Sequence, residues 1–268
     1  CGGEGGDLPA VVRGLDAAAV AAKAPDFDDA GVFQLRAAGV ALVRRGAELS
    51  LPGKSAGERM LFARAIAELP TYRPAGWEAA FTGLLRDDRA CVRKAALDAF
   101  PTTPAPVLVE ALAERLRDPD VAVRTAACWA CLKAKSEDLE KPLLGVLAAA
   151  TDDRLLYAAH TVCWRHGLAP RTEVLGALAA RLDEPGMARA CLKYLARAVD
   201  GRSDLDSADD PKDPYCLAGS EAAACKRAWR RFLPAHEKDL TAGKTYAFDD
   251  PALPARDLFP RVRFWRDR

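Results

Sequence analysis

Leu85-Arg86-Asp87-Asp88-Arg89-Ala90-Cys91-Val92-Arg93-Lys94-Ala95-Ala96-Leu97-Asp98-Ala99 returns, 31 residues on, as Leu116-Arg117-Asp118-Pro119-Asp120-Val121-Ala122-Val123-Arg124-Thr125-Ala126-Ala127-Cys128-Trp129-Ala130. Leu falls on Leu, Val-Arg on Val-Arg and Ala-Ala on Ala-Ala. A weaker third copy runs from Asp152-Asp153 into Leu156-Tyr157-Ala158-Ala159. A fourth runs from Leu182-Asp183-Glu184-Pro185 to Ala188-Arg189 and Cys191-Leu192. Self-similarity at a period of about 30 residues is the signature of stacked supersecondary units.

Each unit reads as two helices joined by an Asp/Pro turn. First helices are expected at Trp77 to Leu85, Val107 to Leu116, Leu139 to Ala149 and Thr172 to Leu182, with Pro74, Pro106 and Pro170 near their starts. Proline is tolerated there because the first N–H groups of a helix lack intrahelical partners. Turn carboxylates can cap the second helix, whose apolar and Ala residues recur at i, i+3, i+4 and i+7. Val32 to Arg45 and Arg59 to Leu69 have the same character and are expected to cap the array at its amino end.

The run Leu-x-Asp-x-x-x-x-Val-Arg-x-x-Ala-Ala, at Leu85 to Ala96 and Leu116 to Ala127, resembles the HEAT-repeat pattern. That resemblance implies an all-α solenoid of about four to five helix pairs over residues 26–200. It also implies a structural ladder in which Arg93, Arg124 and Arg189 pair with turn aspartates such as Asp87, Asp118 and Asp183. The third copy departs from the pattern, with Tyr157 or Ala158 where Arg is expected. Beyond Asp200, residues 201–268 read as an acidic loop, a helix from Ser220 to about Phe232, and a Pro-punctuated strap across the last repeat.

Composition narrows the function. Lys and Arg number 39 against 38 Asp and Glu, for a net charge of +1. A nucleic-acid binder normally carries a basic excess on one face, so no nucleic-acid partner is expected. Alanine, about one fifth of the chain, suits closely packed helices. The apolar runs, typified by Leu143 to Ala150, fall well short of the roughly 18 residues that span a bilayer. Cys1, followed by Gly2-Gly3-Glu4-Gly5-Gly6-Asp7, resembles the start of a mature bacterial lipoprotein. By that resemblance Cys1 is lipidated, residues 1–25 are a tether and lead-in, and the chain is anchored at the outer membrane, on its periplasmic or surface side. A fragment that happens to begin with Cys is the other reading.

Candidate chemistry is sparse. Cys216 and Cys225 flank a short loop entering a helix and could form a disulfide in an oxidising compartment. Cys91, Cys128, Cys131, Cys163 and Cys191 occupy Ala-like core positions. Cys128, Cys131, His160, Cys163 and His166 share helical i, i+3 spacing, which a zinc ion could use; burial in the core is the alternative. Asp204, Asp206, Asp209 and Asp210 lack the turn Gly and distal Glu of a calcium loop. Gly53-Lys54-Ser55 lacks the upstream Gly of a phosphate loop, and no nucleophile elbow or metalloprotease motif is present. No catalytic residue, cofactor or metal is expected.

Trp129, Tyr157, Trp164 and Trp229 are the candidate partner-binding residues, since aromatic side chains dominate interface energetics. The expected function is a non-catalytic interaction scaffold or accessory subunit of a cell-envelope complex. A resemblance to HEAT-like lyases implies an alternative, handling a tetrapyrrole or another cofactor on a client protein. A resemblance to HEAT-like DNA glycosylases meets the objection that their concave face must be basic.

Overall fold

In the computed structural model, the residues described are 55–68, 76–134, 136–168, 172–184, 186–200, 219–242, 244–246 and 254–259. Every regular element among them is helical. The chain divides into two compact units, Cys1–Leu139 and Glu140–Arg268. The expected capping helix Val32 to Arg45 lies outside the described residues.

The first unit contains α1 (Ala56–Glu68), α2 (Trp77–Leu85), α3 (Ala90–Asp98), α4 (Pro106–Arg115) and α5 (Val121–Cys131). Ser55 and Glu58 start α1 with a reciprocal capping box: the Glu58 amide donates to Ser55 Oγ and the Ser55 amide to Glu58 Oε2. Two orphan N–H groups are satisfied at once. Pro106 opens α4, and Asp120 caps α5 by accepting from the amides of Ala122 and Val123. Asp87 accepts from the Arg89 amide and Asp118 from the Asp120 amide, each at 3.0 Å, so the two turns share one local geometry.

Packing follows the repeat. Helix α3 lies against both α1 and α5, while α2 lies against α4; each first helix also contacts its own second helix. The aligned residues are buried alike: Leu85 and Leu116, Val92 and Val123, Ala96 and Ala127, Ala99 and Ala130. Small residues let the backbones approach, and Phe81 and Phe100 fill the wider space with an edge-on contact at 6.3 Å.

The arginine ladder differs in detail from the expected one. Arg93, fourth residue of α3, donates from Nη1 to the carbonyl oxygens of Asp87 and Asp88 in its own turn. Its Nε and Nη2 form a bidentate pair with Asp118 of the next turn, both at 2.8 Å. Arg59 of α1 in turn pairs with Asp87 at 2.7 Å. Arg93 therefore ties its own turn through backbone carbonyls and the next turn through a carboxylate, and Arg59 supplies the same carboxylate tie to the Asp87 turn. Arg124, fourth in α5, repeats the first half by donating to the carbonyls of Asp118 and Pro119.

The second unit contains α6 (Glu140–Ala149), α7 (Asp153–Arg165), α8 (Thr172–Ala179), α9 (Ala188–Asp200), α10 (Gly219–Ala235), α11 (Glu237–Thr241) and α12 (Ala255–Leu258). Helices α6, α8 and α10 pack in succession, and α7 packs on α9. The fourth residues of α7 and α9 are Leu156 and Cys191, both fully buried, so the arginine position is apolar here. Leu156, rather than Tyr157 or Ala158, is the residue in place of Arg. Arg189 sits two residues too early for the ladder, and Asp183 pairs with Lys226 of α10 at 2.6 Å. Arg181 makes the tie between pairs instead. It donates to the carbonyls of Leu147 and Ala150 at the end of α6, and pairs with Glu184.

Of the expected carboxy-terminal strap the described residues are 254–259, whose helix α12 packs on α10. Leu258 and Phe259 are buried; the Leu258 carbonyl accepts from Trp229 Nε1 at 3.3 Å and Cys225 Sγ at 3.0 Å.

Burial pushes the Asp118 carboxyl up, but the bonds from Arg93 and the Asp120 amide, with the charges of Arg93 and Arg115, hold it below its ordinary value. Removing one partner of a buried ion pair leaves the other charge uncompensated, so Asp118→Asn should cost about 3 kcal/mol by urea unfolding at pH 7. A carboxyl depressed in the folded state stabilises fully above its unfolded value of about 4 and loses that contribution as pH falls. The stability gap between wild type and Asp118→Asn is therefore expected to narrow below about pH 4. A gap independent of pH would rule out an ionised pair.

Candidate functional site

Helix α7 is fixed at both ends. Asp152 caps its start by accepting from the Leu155 amide. Gly167, at φ 73°, ends it in the left-handed conformation that glycine adopts without penalty, and Leu168 donates back to the Cys163 carbonyl at 2.7 Å. Between these ends Leu155, Leu156, Ala159, Val162 and Cys163 face the core. Tyr157, His160 and Trp164 recur at i, i+3 and i+7 on another side, one helical stripe.

Helix α9 brings Tyr194 and Arg197 against that stripe. The Tyr194 ring stacks on His160 with centroids 4.2 Å apart and lies 6.5 Å from Tyr157. The Arg197 guanidinium sits 5.0 Å from the centre of the Trp164 ring, within range of a cation–π attraction. Tyr157 is 42% exposed; Tyr194, Trp164 and Arg197 are half-buried. The result is a row of aromatic and guanidinium groups on one face of the second unit.

His160 is the anomaly in that row. It is fully buried, and neither ring nitrogen has a hydrogen-bond partner among the described residues. Burial, aided by the Arg197 charge, pushes its pKa down to about 3, so the ring is neutral at any ordinary pH. His160 is the eighth residue of its helix. The eighth residues of α3, α5 and α9 are Leu97, Cys128 and Leu195, all buried. Leaving a buried polar atom unsatisfied costs about 1–3 kcal/mol, so packing alone does not account for an imidazole here.

The other candidates separate. Trp129 is exposed on α5 in the first unit, as are Val121 at the start of that helix and Leu132 just past its end. Trp229 is not a surface residue: it is fully buried between Phe232 and Phe259, edge-on to both. Its flanking Lys226, Arg227, Arg230 and Arg231 give it the look of a surface anchor, but the apolar Phe259, 30 residues on, could not be paired with it by periodicity. Cys128 and Cys131 are buried in α5 of the first unit, His160 and Cys163 in α7 of the second, and His166 is half-buried. Among the described residues no group of three or more His, Cys, Asp or Glu side chains is placed to hold a metal ion. Cys1, Cys216 and Asp204 to Asp210 lie outside the described residues; Cys225 is a buried thiol.

A second polar cluster escaped the sequence reading. Tyr246, fully buried, donates its hydroxyl to Asp239 at 3.0 Å and lies 3.1 Å from His236 Nδ1. Lys244 also pairs with Asp239, and the Tyr246 amide donates to the Val199 carbonyl of α9. Lys244 and the Tyr246 hydroxyl hold the Asp239 carboxyl below its ordinary value. With Phe232 stacked on His236 at 4.2 Å, this is a clasp that fastens residues 244–246 to α9, α10 and α11.

Burial pushes the thiols of Cys163, Cys191 and Cys225 up to about 12. At pH 8 they remain protonated and shielded, and the thiolate is the reactive form. Peptide-mapped alkylation of the native chain should label half-buried Cys91 well before these three, which should react only in denaturant. Trp229→Ala removes the ring that covers Cys225 and should make that thiol selectively reactive, with a stability loss of about 3–5 kcal/mol. Rapid labelling of native Cys225 in the wild type would contradict the buried seat of residues 254–259.

Among the described residues no helix is long and apolar enough to cross a membrane. No protein-family model, curated protein or solved structure matches this chain.

Proposed function

We propose that the protein is a non-catalytic interaction scaffold, an accessory subunit of a bacterial envelope complex, assembled from HEAT-like solenoid repeats. The repeated register of buried residues, the alternate-helix packing within each unit and the turn-to-turn arginine ties support the HEAT-like reading. The observation that carries the functional reading is the row in which exposed Tyr157 joins half-buried Tyr194, Trp164 and Arg197. Tyr, Trp and Arg are the residue types over-represented among interface hot spots, and here they converge from two helices on one face. Anchoring at the outer membrane through a lipid on Cys1 completes the proposal; it rests on the likeness of the first residues to a mature lipoprotein.

The test is quantitative co-purification from detergent-solubilised envelopes, comparing wild type with Tyr157→Ala and Trp164→Ala. Both variants should retain the helical circular dichroism of the wild type and lose a common set of partners by about tenfold or more, as hot-spot truncations do. Identical partner profiles in all three proteins would sink the assignment of this face. Intact mass of the Cys1 peptide decides the anchor separately: added acyl mass is expected, and an unmodified thiol would exclude it.

A further inference from the structure

Helix α10 buries one side, at Ala222, Cys225, Ala228, Trp229, Phe232 and Leu233. Its other side exposes only small residues and arginine: Ser220, Ala224, Arg227, Arg230, Arg231 and Pro234. From Arg227 the last four follow at i, i+3, i+4 and i+7, the spacing of one helical face. None of the three arginines makes a hydrogen bond, ion pair or ring contact among the described residues. The acids around them are already engaged. Asp183 pairs with Lys226 at 2.6 Å, and Lys226, with the more distant Arg230 charge, holds its carboxyl below the ordinary value. Asp239 is taken by Lys244 and Tyr246, and Glu237 accepts from Thr172. Three uncompensated guanidinium groups therefore share one exposed face.

We infer that the arginine face of α10 lies against an anionic membrane surface, where Arg227, Arg230 and Arg231 hold the phosphates of lipid headgroups. The inference rests on the envelope reading above, which sets the chain beside a membrane. A guanidinium fork matches phosphate oxygens bidentately. The three arginines start within about 6 Å of one another along the helix axis, and headgroups that diffuse in the bilayer can gather under them without a fixed register. A docked peptide would need an aromatic or aliphatic anchor in a packed pocket, and only Ser220, Ala224 and Pro234 share this face with the arginines. Single-stranded nucleic acid needs open aromatic rings on which to stack, and Trp229 and Phe232 of α10 are buried. A duplex held through its phosphates calls for a broad basic excess, whereas the chain carries a net charge of +1.

The experiment is vesicle co-sedimentation of the full chain with Cys1 unacylated, so that no lipid anchor contributes. One set of vesicles is phosphatidylcholine alone; in the other about one lipid in three is phosphatidylglycerol. The chain should sediment with the anionic vesicles and not with the neutral ones, less so as salt rises. Replacing Arg227, Arg230 and Arg231 together by Gln should lower partition onto the anionic vesicles roughly 100-fold, the contribution of three cations at such a surface. All three side chains are exposed, so the variant should keep the circular dichroism and melting temperature of the wild type. A control triple, Arg117→Gln with Arg154→Gln and Arg165→Gln, removes the same charge from exposed positions elsewhere and should leave partition nearly unchanged.

Equal loss in the two triples would overturn the inference, since net charge rather than the α10 face would then be at work. So would equal binding to neutral vesicles, or a preference for a duplex oligonucleotide or oligoglutamate added in competition. Either result, alongside acyl mass on the Cys1 peptide, would remove the α10 face and leave the envelope reading standing. Selective binding to anionic vesicles with an unmodified Cys1 would support the α10 face and remove the lipid anchor alone.

Discussion

The Arg93 side chain touches three turn residues at once, and most of what can be said of the first unit follows from that. Its Nη1 closes the turn that precedes its own helix, on the carbonyls of Asp87 and Asp88. Its other nitrogens hold the Asp118 carboxylate, whose side chain is fully shielded from solvent. Buried charge is unfavourable unless it is paired and fully hydrogen-bonded. Asp118 meets that condition with Arg93, Arg115 and the Asp120 amide. A helix pair in a repeat stack cannot bury its apolar stripe alone, so the apolar contacts set how closely successive pairs pack. The arginine sets their register, because a bidentate pair tolerates little sliding.

The second unit solves the same problem differently. Where α3 and α5 present arginine, α7 and α9 present Leu156 and Cys191, and the charge is moved to the turn after α8. Arg181 reaches back to carbonyls at the end of α6, groups that any helix leaves without intrahelical partners. Lys226 then joins α10 to Asp183 of that turn. Past the last pair, Trp229 and Phe259 replace the Ala-rich spacing of the repeats with aromatic bulk, and the Tyr246 clasp binds the intervening segment.

Much of this was legible in the chain and some was not, for physical reasons. The helices at Trp77 and Thr172 begin where the 3.6-residue periodicity and the prolines place them, and the match of Val92 to Val123 foretold matched burial. Periodicity reports which face of a helix is apolar; it does not report which turn a long arginine will reach. The partner of Arg93 was therefore open between Asp87 and Asp118, and the carbonyl contacts of Arg181 carried no signal. Tyr157 and Trp164 stood out as aromatics on a second helix. Tyr194 and Arg197 complete their face from 30 residues away, through packing of α7 on α9. Trp229 misled because Arg227, Arg230 and Arg231 around it are exposed while the ring itself is covered by residues far along the chain.

The register-setting role of the Arg93–Asp118 pair is tested most directly by a double-mutant cycle with Arg93→Met, Asp118→Leu and the combination, followed by urea unfolding at pH 7. A coupling of about 2 kcal/mol or more is expected, with the double variant more stable than Asp118→Asn, which leaves the buried guanidinium uncompensated. Coupling below about 0.5 kcal/mol would mean that the two residues act independently. Apolar packing alone would then hold successive helix pairs in register.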